Sequence, residues 1–273
     1  MLLRDDMQQG NERSTTSSST AASPALGDGT HPMEFAESIP EYLCPGYRAL
    51  MAGDASSAIT QWQALYDRYP SAEVCSHIAR AYYYQSFFLG HGPEHARHCD
   101  HIAQMRLWAE RALGLNANSA IGHALLAAAM GRQAQVCSSQ REAIRLFWIV
   151  REHAARSILI ADCWIGHMVM GIWHREMASV NVGLRALANL FRLRLPEGTL
   201  KESLHHFNEI LKQYPENNTI YAEMALTYER VNDYDRARQM YEKCLTMPLF
   251  RHPLAPYLTE QARARYRRLL EIS

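Results

Sequence analysis

Along most of this chain, apolar side chains recur every three or four residues. Near the C-terminal end Ala237, Tyr241 and Cys244 stand four and then three residues apart. Ser203, Phe207 and Ile210 repeat this small, aromatic, apolar spacing 34 residues earlier, and Ala58, Trp62 and Leu65 show it near the start. Pro70 follows the first of these stripes and Pro215 the second. Such spacing lays one stripe along a helix. A stripe that returns after about 34 residues marks stacked helical hairpins. From Cys44 to Leu270 the helical period dominates and two-residue alternation is absent. The predicted fold is all-α, a right-handed superhelical solenoid. Chains of this kind present a surface, so binding rather than catalysis is the expected work.

Helices are predicted over residues 46–52, 55–70, 72–88, 105–119, 119–134, 140–160 and 164–178. Pro70 stops the second, because proline cannot continue the hydrogen-bond ladder. Residues 90–101 (GHGPEHARHCDH) read as an irregular insertion or a capped helix start. An extra segment over 182–198 ends in Pro196-Glu197-Gly198. Thr199 is the expected N-cap of the next helix, with Glu202 completing a capping box. Further helices are predicted over 221–231 and 234–247, joined by an Asn232-Asp233 turn, and a polar capping helix over 259–270. Residues 1–38 are rich in Ser, Thr, Ala and Gly and hold too few apolar side chains to offset ordering entropy. They are expected to be a disordered tail, read either as a dispensable leader or as the translocation signal of a secreted effector. The folded domain is then 39–273.

Composition narrows the class. The chain has 273 residues, 48% of them apolar and 21% charged, with formal net charge zero. That balance points away from nucleic acid and from anionic membranes. No apolar run reaches the length needed to span a bilayer, and the N-terminal residues, with Asp5 and Asp6, are not read as a secretory signal. The six cysteines form no C-x-x-C pair. They read as reduced core thiols of a cytoplasmic, bacterial protein.

Taken together, Tyr221, Met224-Ala225, Tyr228, Asn232-Asp233, Ala237, Tyr241 and Cys244 resemble the tetratricopeptide repeat, as do Ile78-Ala79 and Tyr82 earlier. The repeats cover roughly 44–250, with Ala117 and Asp162 in place of the hairpin-ending proline. A second resemblance is to the regulator-of-microtubule-dynamics family. It rests on Gly171-Ile172-Trp173-His174 after His167, the insertion ending Leu195-Pro196-Glu197-Gly198-Thr199, and Tyr214-Pro215-Glu216-Asn217. Eukaryotic members imply association with microtubules and organelle membranes. That property is not expected here, since their N-terminal membrane anchor has no counterpart in this chain.

In a tetratricopeptide stack the first helix of each hairpin lines a concave groove. The motif places His77, Arg80, Tyr83 and Tyr84 at one end of it, followed by Ile121, Leu125 and Arg132. Ile165, Met168, Ile172 and Arg175 come next, and Thr219, Glu223, Leu226 and Arg230 lie at the far end. An apolar middle with Arg and Tyr at the ends suits a protein or peptide with apolar anchors and a carboxylate. The Asn and Lys of the chaperone-tail carboxylate clamp are missing from these positions. Self-association through Trp- and Met-rich terminal hairpins is the other binding reading.

Other chemistry is thinly represented. His91, His95, His98, Cys99 and His101 have spacings that suit Zn²⁺ or Ni²⁺ and would make a metal-responsive regulator. The plainer reading is a solvated, His-rich helix start, with no cofactor. His123 and His167 share a motif position and are expected as core histidines with a ring nitrogen on a backbone carbonyl. His174 is read the same way, and at least one of His205 and His206 should face solvent. Glu41, Asp54, Glu73 and Asp100 read as isolated acids. Arg263, Arg265, Arg267 and Arg268 read as a solvated basic face on the last helix. No G-x-S-x-G, phosphate loop or H-E-x-x-H occurs, so no enzyme is expected.

Overall fold

The computed structural model describes residues 40–88, 95–190 and 193–271. Twelve α-helices and no strand occur among them. A 3-10 turn at Glu41–Leu43 leads into α1 (Cys44–Met51), α2 (Ala55–Arg68), α3 (Ala72–Phe88) and α4 (His95–Leu115). Next come α5 (Ala120–Val136), α6 (Gln140–Ala161), α7 (Trp164–Ala178) and α8 (Val182–Leu190). The series ends with α9 (Leu200–Gln213), α10 (Asn218–Glu229), α11 (Tyr234–Thr246) and α12 (Ala255–Glu271). Packed pairs are α1 with α2, α3 with α4, α5 with α6, α7 with α9, and α10 with α11, while α12 covers α10 and α11. This is a solenoid of tetratricopeptide-like hairpins, with α8 inserted inside the fourth. No helix among the described residues is long and apolar enough to cross a membrane.

Several helices begin on a small polar side chain that takes over a free helix-end N–H. Asp54 accepts from the Ser57 N–H at 2.9 Å, Ser119 from Gly122 at 3.0 Å, and Thr199 from Glu202 at 3.1 Å. Asp54 is therefore a cap rather than an isolated acid, and Glu73 accepts from the Tyr42 hydroxyl at 2.5 Å. The capping box at Thr199 is only half formed, because its own N–H donates to His174 Nδ1 at 3.3 Å. Turns between helices use left-handed residues at Gly53 (φ 84°), Asp162 (φ 47°) and Asn232 (φ 57°).

The stripes seen in the sequence are the core. Ala58, Ser203, Phe207, Ile210, Ala237, Tyr241 and Cys244 are all fully buried. The central aromatic of a second helix lies against a small residue of the first helix. The Phe207 ring covers Gly171, where a Cβ would come within 2.6 Å of it, and the Trp62 ring covers Gly46.

Two boundaries differ from expectation. Helix α4 starts at His95, ten residues before the predicted helix, because His98, Ile102 and Met105 form one buried face. Helix α12 starts at Ala255, four residues early, with Ala255 and Thr259 already buried. The 182–198 insertion folds back on α6 and α7. Trp148 Nε1 donates to the Arg194 carbonyl at 3.0 Å, and Arg185 donates to the carbonyls of Pro196 and Met177. The tail expected over 1–38 lies outside the described residues.

Candidate functional site

The first helices α3, α5 and α7 each carry an arginine that is withdrawn from water, and α10 carries the partner of the third. Arg80, only 4% exposed, points its guanidinium at the Tyr47 hydroxyl and at His77 Nδ1, the latter at 2.7 Å. Arg132 donates to the Ser86 carbonyl at 2.9 Å and lies over the Phe87 ring at 4.5 Å. Its Nε is buried without a hydrogen-bond partner. Burial depresses its pKa, opposed by the phenols of Tyr83 and Tyr257. Tyr83 is pushed up to about 12, mainly by burial, with Arg132 pulling the other way. Arg175 is 6% exposed and satisfied by acids: Glu223 Oε2 at 2.7 Å and Glu176 Oε1 at 3.2 Å. Arg230 adds a 3.8 Å ion pair to Glu176. These opposite charges raise the Arg175 pKa against the burial that lowers it.

The groove residues read from the motif thus fall into three groups. Arg80, Tyr84, Leu125, Ile165, Arg175 and Thr219 are buried, whereas His77, Tyr83, Arg132, Met168, Ile172, Glu223 and Leu226 are half-buried. Ile121 and Arg230 are exposed. Met168 and Ile172 pack against the core made by Phe207, Ile210, Ile220 and Met224.

A reason for this burial is a segment the sequence reading passed over. The connection between α11 and α12 reaches from the α9–α10 turn to Tyr84 of α3. Phe250 meets the Tyr214 ring at 6.3 Å and donates its N–H to Asn218 Oδ1 at 3.1 Å. Farther along, His252 Nε2 meets the Tyr84 hydroxyl at 3.1 Å, with the rings edge-on at 5.0 Å. Leu254 is 1% exposed. Burial, and then the Arg80 charge, push the His252 pKa down to about 3. Two prolines, Pro248 and Pro253, bracketing Leu249 and Phe250 between helices were the available signal.

Histidine pairs recur at a second position. His123 Nε2 faces the Ala117 carbonyl at 3.1 Å and Nδ1 faces His153 Nδ1 at 2.8 Å. A carbonyl only accepts, so His123 carries its proton on Nε2 and receives the N–H of His153. His167 has the same arrangement one repeat later, with Asp162 Oδ1 at 2.8 Å and His206 Nδ1 at 2.9 Å. Tyr221 holds the corresponding place in the next repeat and donates to the Pro215 carbonyl at 3.4 Å. The carbonyl partner expected for His123 is present, but His167 uses a carboxylate, and His174 accepts a backbone N–H instead. Burial, then the charges of His167, His174 and His205, depress His206 to about 4. His205 is exposed. The pair at His123 and His153 lines a surface recess of about 420 Å³ with Glu152, Arg156 and Leu159.

The metal-spaced cluster is spread over α4. His91 lies outside the described residues, and His95 stands at the helix start. His98 is buried rather than solvated, Cys99 is half-buried, and the His101 ring packs 5.9 Å from Tyr82. Among the described residues, no group of three or more His, Cys, Asp or Glu is arranged to hold a metal ion. All six cysteines are free thiols, and burial raises Cys75 and Cys244 to about 11. On α12, Arg263 pairs with Glu260 and Arg265 with Glu229.

Comparison with solved structures finds a thermophilic TPR protein of Thermus thermophilus, TTC0263. It is 13% identical, with a TM-score of 0.60, and the match covers 84% of this chain and 97% of that one. A MamA structure, MSR-1 C2, matches at 15% identity and a TM-score of 0.39, covering 81% of this chain and 96% of that one. An IFIT1 monomeric mutant matches at 15% and 0.41, covering 89% and 61%. The first of these supports the fold; identities this low speak to nothing finer. No curated protein sequence matches the chain. The family model of the regulator of microtubule dynamics protein 1-3 matches residues 49–253. That span takes in α2 to α11, both His pairs and the inserted helix, and the chain belongs to this family.

Proposed function

We propose that this chain is a non-enzymatic scaffold of the cytoplasm that binds a protein or peptide partner on its concave side. The observation that carries the reading is Arg132. Its guanidinium is largely withdrawn from water, held by a carbonyl and a ring, with its Nε lacking a hydrogen-bond partner. A buried cation of this kind favours an incoming carboxylate strongly, because much of its desolvation cost is already met. Leu226 and Ile172, half-buried on other first helices, are the apolar positions that the repeat motif assigns to the same groove. The six free thiols, three of them buried, agree with a reducing compartment.

Capture from native lysate with the full chain tests this reading. A variant carrying Arg132→Glu and Leu226→Glu should lose the captured partner while keeping its helical circular-dichroism spectrum and cooperative melt. Retention of every partner by the folded variant would remove the concave side as the binding surface.

A further inference from the structure

The connection from α11 to α12 behaves like a bound peptide. Its side chains alternate: Leu249 and Arg251 face solvent, whereas Phe250, His252 and Leu254 turn inward. Each inward residue has a fitted receptor. Phe250 meets the Tyr214 ring, His252 meets the Tyr84 hydroxyl, and Leu254 is enclosed. One backbone bond, from the Phe250 N–H to Asn218 Oδ1, sets the register. A tight turn at Arg251 is closed by the His252 N–H on the Phe250 carbonyl at 2.7 Å. Pro248 and Pro253 supply no N–H, so side chains rather than a backbone ladder hold the segment. These are the features by which folded domains take short linear peptides.

We propose that residues 247–254 are an intramolecular ligand of the concave side. A partner then binds by presenting a short, non-helical, proline-bounded peptide with aromatic, imidazole and leucine side chains on alternate positions, which takes this strap's place. The inference rests on the concave side being the partner surface, and it names the chemistry that the surface reads. Two features favour exchange. The strap contains no Asp or Glu, so it brings no carboxylate to the inner side that Arg132 occupies. Its ends are tied to α11 and α12, whose main packing is on each other and on α10. The His252 end can therefore leave Tyr84 while the C-terminal hairpin stays folded.

The test uses a fluorescein-labelled peptide of residues 247–255 and the full chain, read by fluorescence anisotropy. The variant Phe250→Ala with His252→Ala opens the site and should bind the peptide at least tenfold more tightly than the parent. A peptide carrying the same two alanines should not bind. Equal binding to parent and variant, or none to a folded variant, overturns the proposal. Should the double variant lose its cooperative melt, His252→Gln weakens the strap alone and leaves the Tyr84 hydroxyl to receive the peptide's imidazole. It should then raise peptide affinity roughly threefold, and affinity equal to the parent's is the contrary result. Partner loss with Arg132→Glu and Leu226→Glu, together with failure here, would mean that the partner docks beside the strap. Failure of both would reject the concave side itself.

Discussion

Single side chains in this protein are placed by the proton each can give or take. His123 follows its motif position, with one ring nitrogen on the carbonyl that ends the preceding hairpin. That bond was legible in the sequence. The Asp162 bond of His167 was not, because it depends on a left-handed turn that brings the carboxylate up where other hairpins end in proline. His252 gave no signal at all, and like His206 it has a measurable pH consequence. Unfolded, it takes a proton near pH 6.5. Folded, enclosed and near Arg80, it resists protonation down to about 3. The unfolded chain thus binds more protons between these limits, so stability is complete above pH 6.5 and drains away as pH falls toward 3. The limiting slope is about 1.4 kcal/mol per pH unit for such a group. Urea midpoints should fall between about pH 7 and about pH 5 in the parent and fall less in His252→Gln. Equal slopes would mean that His252 titrates normally.

At the scale of elements, the repeat spacing carries the fold because the same contact is made again and again. The predicted spans 72–88 and 164–178 coincide with α3 and α7. The start of α4 stayed open between an irregular insertion and a helix start because a histidine, His98, holds a buried place that a hydrophobe would have advertised. Where a second helix offers an aromatic, the first helix must offer almost nothing. At Gly171 an added methyl would meet the Phe207 ring at 2.6 to 2.9 Å, and an aromatic locked in a core cannot swing aside. Gly171→Ala should destabilise the protein by about 1–3 kcal/mol, seen as a lower melting temperature with unchanged helicity. Gly131→Ala is the control, its nearest neighbour being 3.8 Å away. The two variants should differ clearly, and equal melting temperatures would show that α7 and α9 adjust freely. Helix α9 also depends on its cap: Thr199→Ala should cost about 1 kcal/mol in a denaturant titration.

Across the whole molecule, the departure from expectation is the closing of the inner side by residue pairs far apart in sequence. A repeat pattern reports contacts between neighbouring hairpins, since those are what the period encodes. It carries no information on a bond between Tyr84 and His252, 168 residues apart. For the same reason the burial of Arg80 and Arg175 was not foreseen. An open solenoid unfolds from its ends in a graded way. Here one end is bonded back onto an early hairpin. The timing of synthesis makes this matter. Hairpins fold as they emerge, so Tyr84 waits through 168 residues of translation for its cover. A chain that stops short of His252 is left with an uncovered aromatic and cationic surface, although nearly all of its helices are formed. The last connection is in that sense a proof of completion, and an unfinished copy is chemically distinguishable from a finished one.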